Sequence, residues 1–310
     1  MDFGAINPLT LIATMIVAAM PVLFAAIGEL VVEKSGVLNL GVEGLMIIGA
    51  VSGFIVAVES GSAVTGLFAS VFAGAALALI FGILTQFFHS NQVATGLALT
   101  LFGLGLSALL GQSYAGIKPP SFPYPDFGPL ADLPVLGLLL FRYDALVYFS
   151  AVLVVAVWWF LGYSRAGLAL RAVGENHDAA HSLGYKVVRT RILAILFGGA
   201  CGGLGGAYIA LIRVPQWTDG VTAGAGWIAL ALVVFSSWRP FRVVLGACLF
   251  GGVTLLQLNF QAVGIEINAA YLSMAPYLVT ILALVAISGS GRRAALDAPD
   301  SLGKPFRASA

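Results

Sequence analysis

Apolar residues run along this chain in blocks too long for the interior of a globular domain. No Asp, Glu, Lys or Arg occurs in 9–28, 60–117, 145–164, 192–212, 220–238, 243–265 or 267–291. A helix needs about 20 apolar residues to cross a bilayer, and 60–117 holds two such lengths with His89 between them. The pattern predicts nine spans, near 9–30, 38–58, 63–88, 92–112, 144–163, 191–212, 221–238, 243–262 and 271–288. Backbone groups in lipid must be satisfied within the segment. The expected fold is therefore all-α, a polytopic membrane helix bundle.

The polar remainder sets the orientation. With the loop 164–191 taken as cytoplasmic, one side holds Lys34, Arg165, Arg171, Lys186, Arg189, Arg191, Arg239, Arg242, Arg292, Arg293, Lys304 and Arg307. The other side holds only Lys118, Arg142 and Arg213. Basic residues favour the cytoplasmic side, so the N-terminus is expected outside and the C-terminus inside. Charged residues make up 9% of the chain, against roughly 25% in a soluble domain. The net charge of +1 gives no reason to expect a nucleic-acid partner. The opening Met-Asp-Phe carries no basic region and the first apolar run is long enough to stay as a span, so no cleaved leader is expected. Cys201 and Cys248 fall beside glycines in apolar runs and read as small packing residues.

The chain divides into a transmembrane domain, 1–291, and a polar, proline-containing segment, 292–310, expected to be a flexible cytoplasmic tail. Two polar excursions interrupt the domain. Residues 113–142 hold six prolines, too many for a regular helix over most of that length; they form either an ordered cap on the outer side or a plain connection. Residues 164–191 read SRAGLALRAVGENHDAAHSLGYKVVRTR. Their centre, 175–183, has a helix-compatible composition between Gly174 and Gly184. A short surface helix of this kind suits docking into a partner's groove; a solvated loop is the other reading.

The costliest segment is 28–50, GELVVEKSGVLNLGVEGLMIIGA, which places Glu43 among glycines inside a span. Ionisable residues there usually mark function. Either Glu43 lines or hinges a pathway, or neighbouring helix ends satisfy it. Asn39 shares its face if the segment is helical, but Gly41 and Gly44 also permit a break. Asn91, Gln92 and Thr95 give the fourth span a polar edge, with Asn91 as an alternative helix cap. Trp217 and Asn259 sit in polar, aromatic stretches that suit a ringed, uncharged solute or the membrane interface. GVLNLGVEGLMIIGA is loosely echoed by GVTAGAGWIALALV at 220–233, as in transporters built from inverted repeats with interrupted helices.

Chemistry of other kinds lacks its residues. No H-E-x-x-H, G-x-S-x-G or P-loop pattern occurs. His177 and His181 lie four apart but lack a third ligand for a metal. An enzyme is not expected. An ion-coupled secondary transporter of a small polar solute is the alternative to keep, with Glu43 its one strong carboxylate.

Three stretches, GELVVEKSGVLNLGVEGLMIIGA, NQVATGLALTLFGLGLSALLG and GLALRAVGENHDAAHSLGYKV, resemble the permease subunits of ABC importers. The branch is that of the branched-chain amino acid and ribose permeases, and the pattern is closest to the simple-sugar and nucleoside type. The resemblance covers 9–288. It implies half of a translocation pathway for a nucleoside or simple sugar, worked by alternating access in a bacterial inner membrane. It implies a second, different permease, a cytoplasmic ATPase that holds the ATP and Mg, and a periplasmic or lipid-anchored binding protein. This chain itself would carry no cofactor. By motif, Gly174, Glu175, Asn176, Ala179, Ala180 and Gly184 would form the ATPase contact, so a bulky residue at Gly174 or Ala180 is expected to uncouple transport without disturbing the fold. The pathway set would be Asn39, Glu43, Asn91, Gln92, Thr95, Trp217 and Asn259. Lys34, where the family often has Arg, and His177, at a position often proline, depart from the pattern.

Overall fold

The computed structural model describes residues 8–262 and 298–307, with isolated positions between them; the side chains of Pro8 and 257–262 are not included. Helices α1 (Pro8–Lys34), α2 (Val42–Ser60), α3 (Ala63–Gln86) and α4 (Gln92–Gly111) follow the first four apolar blocks. After the proline-rich excursion come α5 (Leu136–Leu140), α6 (Ala145–Tyr163), α7 (Arg165–Glu175) and α8 (His177–Ser182). The chain continues through α9 (Val187–Tyr208), α10 (Ala225–Phe235) and α11 (Pro240–Ala262). Among the described residues, six helices are long and apolar enough to cross a membrane. The predicted ninth span, 271–288, lies outside the described residues apart from single positions.

Polar residues punctuate the helices where the apolar runs stop. Asn91, Asp144, Ser164 and Asn176 each accept a hydrogen bond from a first-turn amide of the helix that follows. Such a cap satisfies a donor that the helix itself leaves unpaired. Gly61, at φ 67°, closes α2 in the left-handed region, so α3 turns back two residues later.

The centre is built by close approach rather than by large side chains. α9 carries FGGACGGLGGAY and packs on α1, α2 and α3. A Cβ at Gly74 of α3 would strike the Gly199 carbonyl, and one at Gly203 would strike that of Ser70. A Cβ at Gly49 or Gly206 would collide with Gly203 or Met46 respectively, and one at Gly28 would sit 2.6 Å from Cys201 Cβ. Lipid supplies no hydrophobic drive between helices, so contact area from small residues carries the association. Outward faces of α3, α4 and α6 expose Phe72, Leu101 and Val152 instead.

One end of the bundle, here the loop end, gathers the C-terminus of α1, the 35–41 turn, α7, α8 and the first turn of α9. The far end holds 112–144 and 209–217, after which the chain re-enters the bundle to reach Glu43 at Thr222. There Tyr114 donates to Glu59 at 2.7 Å, and Tyr208 donates to Asp144 Oδ2 at 2.7 Å. The 113–142 excursion forms only short turns and α5, ordered by its own contacts: Phe127 meets Phe141 and Tyr148, and Arg142 Nε donates to the Ala131 carbonyl.

Two expectations are corrected. The seventh span, 221–238, is not a crossing helix: α10 has 11 residues, about 16 Å against a hydrocarbon core of about 30 Å. Positive φ values at Gly220, Ala223 and Gly224 delay its start, and those at Ser237 and Trp238 end it. The segment 298–307 is not a free tail. It folds back on the loop end, where Ser301 is 4% and Phe306 7% exposed.

Candidate functional site

α2 begins one residue before Glu43, because 35–41 is a non-helical turn and Gly41 is the cap. Asn39 and Glu43 therefore do not share a helical face; the break reading of LNLGVEG is the one the backbone adopts. Glu43 lies beside the middle of α4: a Cβ at Gly44 would sit 2.8 Å from the Thr100 Cα. Thr100 is two turns beyond the start of α4, roughly 12 Å into the bundle.

There the Glu43 carboxylate meets the N-terminus of α10. Its Oε1 accepts from Thr222 Oγ1 at 2.5 Å and from the Gly224 amide at 3.0 Å. Its Oε2 accepts from the Gly226 amide at 2.7 Å. The Gly224 cap position brings no side chain of its own, so Glu43 supplies the cap from another helix. Both oxygens face amides that carry the positive end of the helix dipole. Gly226 is required for the approach, since a Cβ there would meet the Glu43 backbone nitrogen. From this point α10 runs to the loop end, where Trp238 Nε1 donates to Glu33 Oε2 at 2.5 Å and Lys34 lies over the Trp238 ring.

The 35–41 turn behind Glu43 is held from three directions. Gln92 Oε1 accepts from the Leu38 amide at 2.8 Å, and Thr100 Oγ1 donates to the Leu40 carbonyl at 3.2 Å. Glu29 Oε1 accepts from the Asn39 amide, while Asn39 Oδ1 accepts from the Gly41 amide. The Arg191 guanidinium, fully buried, donates Nε–H to the Ser35 carbonyl at 3.2 Å. Gly96 lets α4 approach, as its Cβ would lie 2.7 Å from the Leu40 nitrogen.

The loop 164–191 folds as two helices broken at Asn176. The expected helix 175–183 is shorter: Glu175 ends α7, and Asn176 Oδ1 caps α8 by accepting from the Ala179 amide at 2.9 Å. Glu175, Asn176, Ala179 and Gly184 are exposed, as is Leu183 at 78%. Gly174 and Ala180 are buried, so they support this surface rather than form it. A side chain at Gly174 would strike the Lys34 carbonyl, and Ala180 packs with Val173, Val187 and Phe306. The expectation that bulky substitution at either leaves the fold intact is thereby corrected.

The pathway set falls into separate places. Asn39, Glu43 and Gln92 are buried around the turn, and Asn91 is an exposed helix cap accepting from the Ala94 amide at 3.0 Å. Thr95 pairs with Ser90 at 2.9 Å. Trp217 is at the far end, tilted at 49° to Phe54 with ring centroids 6.3 Å apart, and pressed on Gly111. Asn259 lies on α11, outside the residues whose side chains are described. Sequence reasoning missed Thr222, Gly226, Arg191, Ser301 and Phe306. Thr222 and Gly226 were within reach of the 220–233 echo, because both segments start helices from glycine turns. The other three act through contacts more than 100 residues away along the chain or from a segment read as a tail.

Crossing helices, a half-helix that starts inside the bundle, and a buried carboxylate on its N-terminus define a multi-pass membrane permease. The sequence profile described as branched-chain amino acid transport system / permease component matches residues 11–285, and the chain belongs to that family. It is an ABC importer permease. It is 39% identical over 289 residues (86% of this chain, 88% of the relative) to TsgC13 of Haloferax volcanii, which is named as a glucose ABC transporter permease protein. It is 33% identical to the guanosine ABC transporter permease protein NupQ of Bacillus subtilis, over 99% of this chain and 98% of the relative. It is 32% identical to the nucleoside ABC transporter permease protein NupC of Lactococcus lactis, over 92% and 95%. More distant matches, TsgB13 and NupP at 27% and 26% identity, come from the same Haloferax and Bacillus strains as TsgC13 and NupQ. No solved structure matches the chain. Membership favours ATP-driven import over the ion-coupled alternative.

Proposed function

We propose that this chain is one of two non-identical permease subunits that together form the pathway for a nucleoside or a simple sugar. The observation that carries the solute class is the pair of likenesses over most of each chain, to a guanosine permease and to a protein named for glucose. The likeness to both TsgC13 and TsgB13, and to both NupQ and NupP, supports a second, different permease as partner. A separate cytoplasmic ATPase docks on the exposed face of the loop 164–191, with Glu175, Asn176, Ala179, Leu183 and Gly184 at the contact. ATP and Mg belong to that subunit. A periplasmic or lipid-anchored binding protein delivers the solute at the far end. The protein resides in the plasma membrane, the inner membrane of a bacterium, with its N-terminus outside.

In this reading Glu43 positions the half-helix α10 beside the pathway, and Asn39, Gln92 and Thr95 shape the inner side. ATP binding closes the ATPase pair, the α7–α8 loop moves, and the bundle changes the side to which it opens. The test is uptake of labelled guanosine and of labelled glucose by the reconstituted complex. Uptake of one of them is expected, and it stops when the ATPase carries an inactive Walker motif. Uptake that persists with the inactive ATPase overturns the proposal.

A further inference from the structure

The segment 298–307 touches three elements of the loop end at once, and each contact is specific. Its Ser301 amide donates to the Gly174 carbonyl at 2.9 Å, and Ser301 Oγ lies 3.2 Å from the Glu175 carbonyl and 3.4 Å from the His177 amide. These contacts span the break between α7 and α8. The Gly303 amide donates to the Gly36 carbonyl at 3.2 Å, so the same segment also holds the turn behind Glu43. The Phe306 ring sits against His177 and His181, with centroids 5.4 and 5.3 Å apart, and completes the small cluster of Val173, Ala180 and Val187.

Arg191 joins these pieces. Its three nitrogens reach three separate segments: Nε the Ser35 carbonyl, Nη1 the Lys304 carbonyl and Nη2 the His177 Nδ1, each at 3.2 Å. A rigid planar fork suits this bridging, where a lysine ammonium would not. A six-residue helix such as α8 is too short to hold itself in water, so its position is set by what it packs against. It packs against Val173 of α7, Val187 and Arg191 of α9 and Phe306 of the 298–307 segment, beside the break spanned by Ser301.

We infer that 298–307 is a positioning strap for transport: Ser301 and Phe306 fix α8 to the 35–41 turn, so that movement of the docking loop is passed to the turn that carries Glu43. The inference rests on the proposed docking of the ATPase at α8. It makes the strap a working part of coupling and not a disposable end.

The test compares the full complex bearing this chain intact, truncated after residue 297, or carrying Phe306→Ala, Phe306→Leu or Leu183→Asp. Solute moved per ATP hydrolysed is the readout, with labelled guanosine or glucose as the probe. Truncation and Phe306→Ala are expected to lower that ratio by at least about fivefold, the effect of roughly 1 kcal/mol lost from the coupled state, while Phe306→Leu restores most of it. Hydrogen exchange on the isolated permease adds a readout independent of assembly: α8 amides lose protection in the truncated chain while α2, α3 and α9 keep theirs. An unchanged transport ratio, or unchanged α8 protection, overturns the inference. Leu183→Asp separates the two readings, since Leu183 lies on the exposed face. If Leu183→Asp stops stimulated ATP hydrolysis while the strap variants are silent, the strap fails alone. If Leu183→Asp is itself silent, the docking assignment fails.

Discussion

Replacing Glu43 by Ala removes the cap of α10 and leaves three donors without an acceptor: the Thr222 hydroxyl and the Gly224 and Gly226 amides. Hydrogen bonds between membrane helices average about 0.6 kcal/mol and reach roughly 1.7 kcal/mol. Bonds to a charged acceptor are worth about 1.5–3 kcal/mol each, and a negative group at a buried helix N-terminus adds up to ~2 kcal/mol. Three such bonds sum to roughly 2–5 kcal/mol on the membrane range and about 4.5–9 kcal/mol on the charged-acceptor range. The loss falls on one element, because α10 is short and, apart from the packing of its buried apolar side chains, it is anchored at its other end through Trp238 on Glu33. Hydrogen exchange in detergent or nanodiscs reads it directly. The amides of 224–228 are expected to exchange at least about a hundredfold faster, the equivalent of roughly 2.7 kcal/mol, while those of α2 and α9 change little. Glu43→Gln keeps the shape and one acceptor oxygen, so it is expected to fall between wild type and Glu43→Ala. Glu43→Asp, one methylene shorter, is expected to behave more like Ala than like Gln. If protection at 224–228 is unchanged in Glu43→Ala, the cap does not hold α10, and a direct role toward solute regains ground.

Other perturbations test separate parts of the structure. Gly226→Ala forces a methyl into the Glu43 backbone and should cost about 1–3 kcal/mol by overpacking, seen as a lower melting temperature with Glu43 itself intact. Tyr208→Phe leaves Asp144 Oδ2 without its donor and should lower thermal stability by about 1–3 kcal/mol, with the effect confined to the far end by hydrogen exchange. Arg191→Lys should release 298–307 to proteolysis, because a single ammonium cannot reach the Ser35, Lys304 and His177 partners together; continued protection of the segment would refute the bridging role. Burial, then the adjacent Arg191 guanidinium and Lys304, hold His177 below the ordinary value of 6.5, with Asp178 pulling the other way. Its neutral form therefore favours the docked state, which is fully stabilised above the ordinary histidine value and loses that contribution as pH falls through the lowered one. Acid should loosen the α8–strap contact, and His177→Asn should abolish that pH dependence in limited proteolysis.

The order of helices was readable because lipid imposes a length and a composition on each crossing segment, and 60–117 and 192–212 state both without ambiguity. Glycine density of the kind found at 197–208 favours close helix approach, but it does not say which helices meet there. The caps at Asn91 and Asn176 follow from local chemistry alone, since side chain and amide lie three residues apart. The half-length of α10 did not show, because 221–238 is apolar throughout and hydropathy is blind to left-handed turns at Ala223 and Gly224. Gly174 and Ala180 were read as surface because a motif records which residues occur and not which way they face.

What the sequence determined by itself was the class of molecule, because that depends on free energies of transfer summed along single segments. Only the tertiary structure decided what satisfies Glu43, which end of the chain supports α8, and why Arg191 is buried. Those outcomes depend on partners 10 to 183 residues apart. A buried carboxylate or guanidinium is tolerable only when such partners converge on it, and that convergence is a property of the packed bundle.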